Sequence, residues 1–275
     1  MIPGSSRTTS RLHAIFPLSL DIQATSGRLH HTLQPNILYQ TLTYHYHPDK
    51  HVESTIVKSA WYGKQTKGVE HEFILLKVTD TVVNVNNYII LDRNHTSHKV
   101  GDSGWSTSGS ACSSWGAFDS FKVSSNGIEE ELLGDCGLWH REYLEKLRFE
   151  RKENPLFFYE LVTLVDLISE ENPIYDITQK NCYWFAGLIW ECLRKMRPSA
   201  KMVKIIDTPG KKGKLGPLRY FPDLREIDEV HQRGERRIME TKSRLMLSVD
   251  VRSSVAYCLA RELTKLHQIG ELGYT

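Results

Sequence analysis

Three segments in the first half of the chain are rich in apolar and β-branched residues. They are Thr55 to Trp61, where such residues alternate with polar ones, His71 to Val78 and Tyr88 to Asp92, and short segments of this composition are typical of β-strands. The polar residues 63–68 and 84–87 lie between them and are typical of turns. Short turns between successive strands predict an antiparallel meander.

Successive side chains of a strand point to opposite faces, so these segments also predict which side chains share a face of this sheet. In the second segment, His71 and Phe73 would lie on one face, and Glu72 and Ile74 on the other. The apolar and aromatic residues of Asn36 to Tyr46 favour another strand.

Residues 93–127 differ from the strands around them. They are mostly small and polar, and a segment of this length without a periodic pattern is typical of a flexible insertion. Such an insertion serves either as a lid over a site or as a surface loop without a role. Residues 1–35 have no sustained period either, and we interpret them as a flexible N-terminal lead-in.

From Leu138 onward the pattern predicts helices. Glu142 to Lys152 is a charged segment, and Pro155 occupies the favoured first position of an amphipathic helix that extends to Ser169. Residues 223–268 are predicted to be largely helical, with a separate amphipathic helix around Val251 to Leu263.

These patterns predict an α+β fold, in which an antiparallel sheet packs on helices. We divide the chain into the lead-in, an α+β domain over residues 36–207, and a basic linker with a C-terminal helical extension over residues 208–275. The helical extension either packs on the domain or presents a face to a protein partner.

Composition excludes several classes of protein. The chain has 275 residues, 40% of them hydrophobic and 25% charged, and a net charge of +2, which gives no reason to expect a nucleic-acid partner. No apolar run is long enough for an integral membrane segment, and Leu12 to Leu20 makes a poor signal peptide. We therefore expect a cytoplasmic protein.

Five scattered cysteines form no C-x-x-C pair, so neither a zinc ribbon nor a disulfide framework is expected. Three histidines and a carboxylate cluster between His45 and His51, but their spacing matches no known metal site and Pro48 indicates a loop. We expect no metal and no cofactor.

Cys182 has a distinctive setting. Asn181 is a good N-cap and Pro198 ends the following apolar pattern, so Cys182 is predicted to be the first residue of a buried helix. A helix N-terminus stabilises an anion by about 0.3–1 kcal/mol, which is less than one pKa unit. A reactive Cys182 therefore needs a cationic partner, most simply a histidine; the alternative is a small core residue that follows an N-cap.

A histidine that opens a strand and an Asn-Cys pair that opens a later helix resemble the permuted papain-like superfamily, which includes lecithin:retinol acyltransferase and the PPPDE peptidases. The matching segments are Val69 to Phe73 (VEHEF) and Asn181 to Phe185 (NCYWF). With Leu91 to Arg93 (LDR), the chain is also similar to uncharacterised fungal proteins. The resemblance covers residues 55–198.

The resemblance implies roles for individual residues. Cys182 would be the nucleophile, His71 the base, and Asp92 the polar third member; for Asp92 the alternative is a strand-end residue paired with Arg93 or with solvent. The Cys182 amide, with Asn181 and the Gln179 side chain in support, would stabilise an oxyanion, unless Gln179 only forms the turn. His95 and His98 are further candidates, because the acyltransferases use a second histidine.

Two hypotheses follow. In the first, the protein is a cysteine-dependent hydrolase or acyltransferase that acts on an amide, an ester or an isopeptide of an acyl or peptide substrate. In the second, it is a non-catalytic interaction module that keeps the fold and binds a protein partner through its C-terminal helices. The first requires the side chains of His71 and Cys182 to meet.

Overall fold

The structure, a computed structural model, describes residues 12–21, 29–43, 52–68, 70–99, 115–149, 153–205 and 211–246. Within these ranges, nine antiparallel strands form one sheet and a small hairpin forms a second one. The protein is therefore of mixed α+β class with a mostly antiparallel sheet, as the sequence pattern predicts.

The main sheet has the order β1-β5-β4-β3-β2-β6-β9, and the short strands β7 and β8 pair with β2 and β5. Its strands are β1 (His30–Leu33), β2 (Thr55–Gln65), β3 (Glu72–Asp80), β4 (Val85–Lys99), β5 (Trp115–Ser124), β6 (Arg141–Arg148), β7 (Leu156–Phe157), β8 (Ile174–Tyr175) and β9 (Lys201–Lys204). The hairpin consists of β10 (Lys214–Leu215) and β11 (Leu218–Arg219).

The helices cover both faces of the sheet. They are a 3-10 helix (Leu18–Asp21), α1 (Pro35–Thr43), α2 (Glu129–Asp135), α3 (Phe158–Glu171), α4 (Cys182–Met196) and α5 (224–246). In the described part of the chain, no helix is long and apolar enough to cross a membrane.

Strand β3 lies at the centre of the sheet and is buried on both faces. Ile74 belongs to the large core that the sheet forms with α3 and α4, whereas Phe73 belongs to a smaller core on the other face. Leu132 and Leu133 of α2 cover that smaller core. The predicted alternation along this strand is therefore confirmed, and a strand covered on both faces is expected to read as a continuous apolar run.

Two predicted elements have the wrong type. In the segment predicted as a strand over Asn36 to Tyr46, residues 36–43 belong to helix α1, because Pro35, Leu38, Tyr39 and Leu42 lie on one buried face at helical spacing; residues 44–46 lie outside the described residues. In the charged segment predicted to be helical over Glu142 to Lys152, residues 142–148 belong to strand β6, which pairs with β2 on one side and β9 on the other; residues 150–152 lie outside the described residues.

The region interpreted as a flexible insertion, residues 93–127, contains two long strands. Strand β4 runs on to Lys99, and β5 begins at Trp115 and pairs with it; residues 100–114 lie outside the described residues. The polar side chains of β5 suggested a loop, but Asp119 and Ser120 are buried and hydrogen-bonded within the protein. Their polarity reflects an internal polar network rather than contact with water.

Two further segments differ from the prediction. Helix α3 begins at Phe158 and not at Pro155, because residues 156–157 pair with β2. In the N-terminal lead-in, β1 pairs with β5, and Ile15 and Phe16 are fully buried. The predicted helix around Val251 to Leu263 lies outside the described residues.

Candidate active site

His71 lies immediately before β3, at the end of the strand that faces the start of α4. Glu70 precedes it with a positive φ of 51°, a conformation that non-glycine residues seldom adopt. The Nε2 atom of His71 lies 3.3 Å from Oδ2 of Asp92 on the neighbouring strand β4. The side chain of His71 is 13% exposed and that of Asp92 is 3% exposed.

Asp92 is surrounded by hydrogen-bond donors from two strands. Oδ1 accepts from the Ser120 hydroxyl at 2.8 Å, and Oδ2 accepts from Lys122 Nζ at 2.6 Å and from Asn94 Nδ2 at 3.1 Å, as well as from His71. Burial alone would raise the pKa of Asp92, but the His71 hydrogen bond and the Lys122 charge hold it well below its usual range. Asp92 is thus a fixed carboxylate, and it pairs neither with Arg93 nor with solvent.

Cys182 is the first residue of α4, as its sequence context predicts. The Asn181 side-chain oxygen accepts hydrogen bonds from the amides of Tyr183 at 3.1 Å and Trp184 at 3.2 Å. Helix α4 packs on β3 and β4, which brings its N-terminus to the strand end that carries His71. Cys182 is 5% exposed, so access to the thiol is narrow.

The imidazole of His71 contacts both of the other residues. Burial alone would lower the pKa of His71, but its hydrogen bonds to Asp92 and to the Cys182 side chain raise that pKa to about 10. The ring is therefore charged at neutral pH. The structure thus brings together the three residues Cys182, His71 and Asp92.

Tyr175 is a neighbour of Cys182 that the sequence pattern did not identify. Burial raises the pKa of Tyr175 well above its usual range; the Cys182 side chain raises it further, while a hydrogen bond from the Cys182 backbone amide opposes the rise. The Tyr175 hydroxyl therefore lies close to Cys182. Tyr175 lies in the two-residue strand Ile174–Tyr175, and nothing in the sequence around it indicates a role at the site.

The remaining predicted site residues are elsewhere or have other roles. Asn181 is 2% exposed and caps α4, and its Nδ2 atom donates to the Ile177 carbonyl at 2.9 Å. Gln179 is exposed in a turn, where its backbone amide donates to the Asp176 carbonyl, and no described contact brings its side chain to Cys182. His95 lies between Trp115 and Tyr175, with ring centroids 5.1 and 5.6 Å away, and the placement of the His98 side chain is not described.

A buried ion pair supports the turn that precedes Cys182. Arg93 is fully buried and donates two hydrogen bonds to Asp119, at 2.7 and 2.9 Å. The same guanidinium donates to the carbonyls of Asn172 at 2.7 Å and Lys180 at 3.3 Å. One side chain thereby ties β4 and β5 to both ends of the segment that leads into α4.

A second buried acid lies beside the site. Glu72 is fully buried, accepts from the Tyr62 hydroxyl and from the Gly213 amide at 2.9 Å, and lies 3.6 Å from Lys64 Nζ. Burial raises the pKa of Glu72 to about 7, although Tyr62, Lys64 and Gly213 oppose the rise. Lys64 also donates to the carbonyls of Lys211, at 3.1 Å, and Lys214. Part of the predicted basic linker is thereby attached to the sheet.

No cluster of three or more metal-binding side chains is present in the described ranges, and the histidine cluster around His45 to His51 lies outside them. Cys182, His71 and Asp92 are instead the residue types of a thiol nucleophile, a base and an orienting carboxylate. No family model, curated protein or solved structure matches this chain.

Proposed function

We propose that this protein is a cysteine-dependent hydrolase or acyltransferase that acts on an amide, an ester or an isopeptide. The observation that carries the proposal is the placement of the His71 ring, which bonds Asp92 through Nε2 over 3.3 Å and lies beside the Cys182 side chain. A charged imidazole beside a thiol at a helix N-terminus favours the thiolate, which is the nucleophilic form.

The chemistry assigns one step to each group. His71 holds the thiol proton as the imidazolium of an ion pair, and the Cys182 sulfur attacks the carbonyl carbon of the substrate. The amide of Cys182 donates to the developing oxyanion. The imidazolium then protonates the leaving amine or alcohol, and water or an amine releases the acyl group from the thioester.

The order of the elements supports the finer fold assignment. The histidine precedes the cysteine in the chain, the histidine borders a strand of an antiparallel sheet, and the cysteine begins a helix that packs on that sheet. This is the arrangement of the permuted papain-like superfamily that the sequence resembles, so we propose a permuted papain-like fold for the sheet and α4.

The first test is the rate of iodoacetamide alkylation at each cysteine between pH 5 and 9, read by mass spectrometry. Cys136 and Cys192 are internal controls, because burial raises the pKa of both thiols to about 12. We expect Cys182 to react fastest at pH 6, and His71→Gln to slow it at least about tenfold, the equivalent of one pKa unit. The glutamine keeps most of the side-chain volume, so access to the reagent changes little.

A second measurement detects the acyl-enzyme directly. The protein is mixed with p-nitrophenyl acetate, and we expect a burst of nitrophenol together with the mass of one acetyl group on Cys182. Asp92→Asn should reduce the burst rate, and Cys182→Ser should abolish it. Should Cys182 react no faster than Cys136, and His71→Gln make no difference, the enzyme hypothesis is wrong and the protein is an interaction module.

A further inference from the structure

The carboxylate that orients His71 is shared with a lysine. Oδ2 of Asp92 lies 2.6 Å from Lys122 Nζ and 3.3 Å from His71 Nε2. One oxygen therefore serves two cationic groups, and the lysine holds the closer position. A catalytic carboxylate needs only one of these contacts to fix the tautomer of an imidazole.

The strand register explains how Lys122 reaches this oxygen. On β5, Ser120 lies opposite Asp92, and Lys122 lies opposite Ile90. Lys122 is thus the diagonal neighbour of Asp92 on the same face of the sheet, within reach of a long side chain. Its side chain is only 17% exposed, so water screens its charge weakly.

We infer that Lys122 is a positioning residue of this site. It holds the Asp92 carboxylate in place and reduces the effect of its negative charge on His71. The inference about the reaction rests on the proposed function, but the electrostatic relationship among the three residues does not. The negative charge of Asp92 makes the His71 imidazolium hold its proton more tightly. By offsetting part of that charge, Lys122 would allow the imidazolium to release its proton to the leaving group.

Other titratable groups face the same array. Cys182 at the start of α4 contacts His71, and Tyr175 on β8 contacts Cys182. Cys136, after α2, lies near both Lys122 and Asp92. Ser120 and Asn94, the remaining partners of Asp92, are neutral. Lys122 is therefore the one fixed cation among the described partners of Asp92, and its removal changes a charge that no other partner replaces.

The test measures the His71 titration by NMR in full-length protein that carries Cys182→Ala, so that thiol ionisation does not overlap it. We expect Lys122→Met to raise the pKa of His71 by about one unit, because a nearby like charge has been removed. Lys122→Gln retains a donor without the charge and should give a similar rise. Lys122→Arg keeps the charge and should leave the titration near that of the parent protein.

Ser120→Ala is the matched control, since it removes a neutral donor from the other oxygen of Asp92 and should shift the titration far less. An unchanged or lowered pKa of His71 in both Lys122→Met and Lys122→Gln would overturn the inference. A purely structural role would lower the melting temperature without moving the titration. Because this measurement needs no activity, it succeeds or fails independently of the alkylation and acylation tests.

Discussion

The carboxylate of Glu72 accepts a hydrogen bond from the backbone amide of Gly213, 141 positions further along the chain, over 2.9 Å. This contact attaches the segment before β10 to the central strand of the sheet. It is made by an acid that is fully buried and whose pKa is raised to about 7. Stability should therefore depend on the protonation of Glu72.

The sign of that dependence follows from the raised pKa. A carboxyl group with a folded pKa of about 7 stabilises the fold fully below its ordinary pKa of about 4.5, and this contribution is lost as the pH rises through 7. We expect wild-type protein to lose up to about 3 kcal/mol between pH 5 and 8 relative to Glu72→Gln, which cannot ionise. Urea unfolding of both proteins across this range measures the difference.

The comparison with Glu72→Gln also separates Glu72 from His71. The raised pKa of His71, about 10, makes a contribution that is present below pH 6.5 and is lost toward pH 10, in both proteins alike. It cancels in the difference. Parallel stability curves for the two proteins would contradict the assignment of a titrating buried acid at position 72.

Asn181 should contribute to stability through the cap of α4. Asn181→Ala leaves the amides of Tyr183 and Trp184 without their side-chain acceptor, and we expect a loss of about 1 kcal/mol in the free energy of unfolding. Asn181→Ser keeps a capping oxygen and should recover most of this loss in urea titrations at pH 7. If serine destabilises the protein as much as alanine, the Ile177 contact and not the cap is responsible.

Position 63 must be glycine because the ring of Phe73, on the paired strand β3, occupies the space of a side chain there. A Cβ atom at position 63 would lie 2.3 Å from the Phe73 ring, and Phe73 is fully buried in the smaller core. We expect Gly63→Ala to destabilise the protein by about 1–3 kcal/mol, because the ring must move within a packed core. In a double-mutant cycle, Phe73→Leu should relieve part of this cost; additive effects would show that steric contact is not the cause.

Arg93 and Asp119 form a buried ion pair, and we expect the removal of one partner to destabilise the protein more than the replacement of both. Asp119→Ala leaves a fully buried guanidinium with its two carbonyl acceptors but no counter-ion, and we expect about 3–5 kcal/mol of destabilisation. Arg93→Met with Asp119→Leu should be much less destabilising than Asp119→Ala alone. Chemical unfolding of the variants tests this, and equal losses in both would contradict an ion pair with a large desolvation cost.

Local pattern was sufficient for part of the fold and of the candidate site. Strands β2 to β4 were predictable because each contains a short segment of apolar and β-branched residues between turn signals. The start of α4 was predictable because Asn181 is a side-chain cap for its own helix. The antiparallel α+β class followed from these elements. Cys182 at the first position of a helix was a property of its neighbours in the chain.

Other elements depend on partners far away in the sequence. Strand β6 was predicted to be helical because the sequence does not show which residues its charged side chains pair with. In the structure, Glu142 and Glu145 pair with Lys211 and Lys212, about seventy residues further along the chain. Strand β5 looked like a loop because Ser120 and Lys122 are polar, yet both side chains bond Asp92. A prediction that assigns polar residues to the surface is wrong for polar side chains that are buried and hydrogen-bonded to each other.

The sequence by itself therefore determined the central strands, their faces, and a thiol at the mouth of a capped helix, since these depend on residues close together in the chain. Only the tertiary structure decided that His71 meets both Asp92 and Cys182, that Tyr175 lies close to Cys182, and that Lys122 shares the carboxylate. Those relationships arise where β3, β4, β5, β8 and α4 converge, and convergence is set by long-range packing, which no local period encodes.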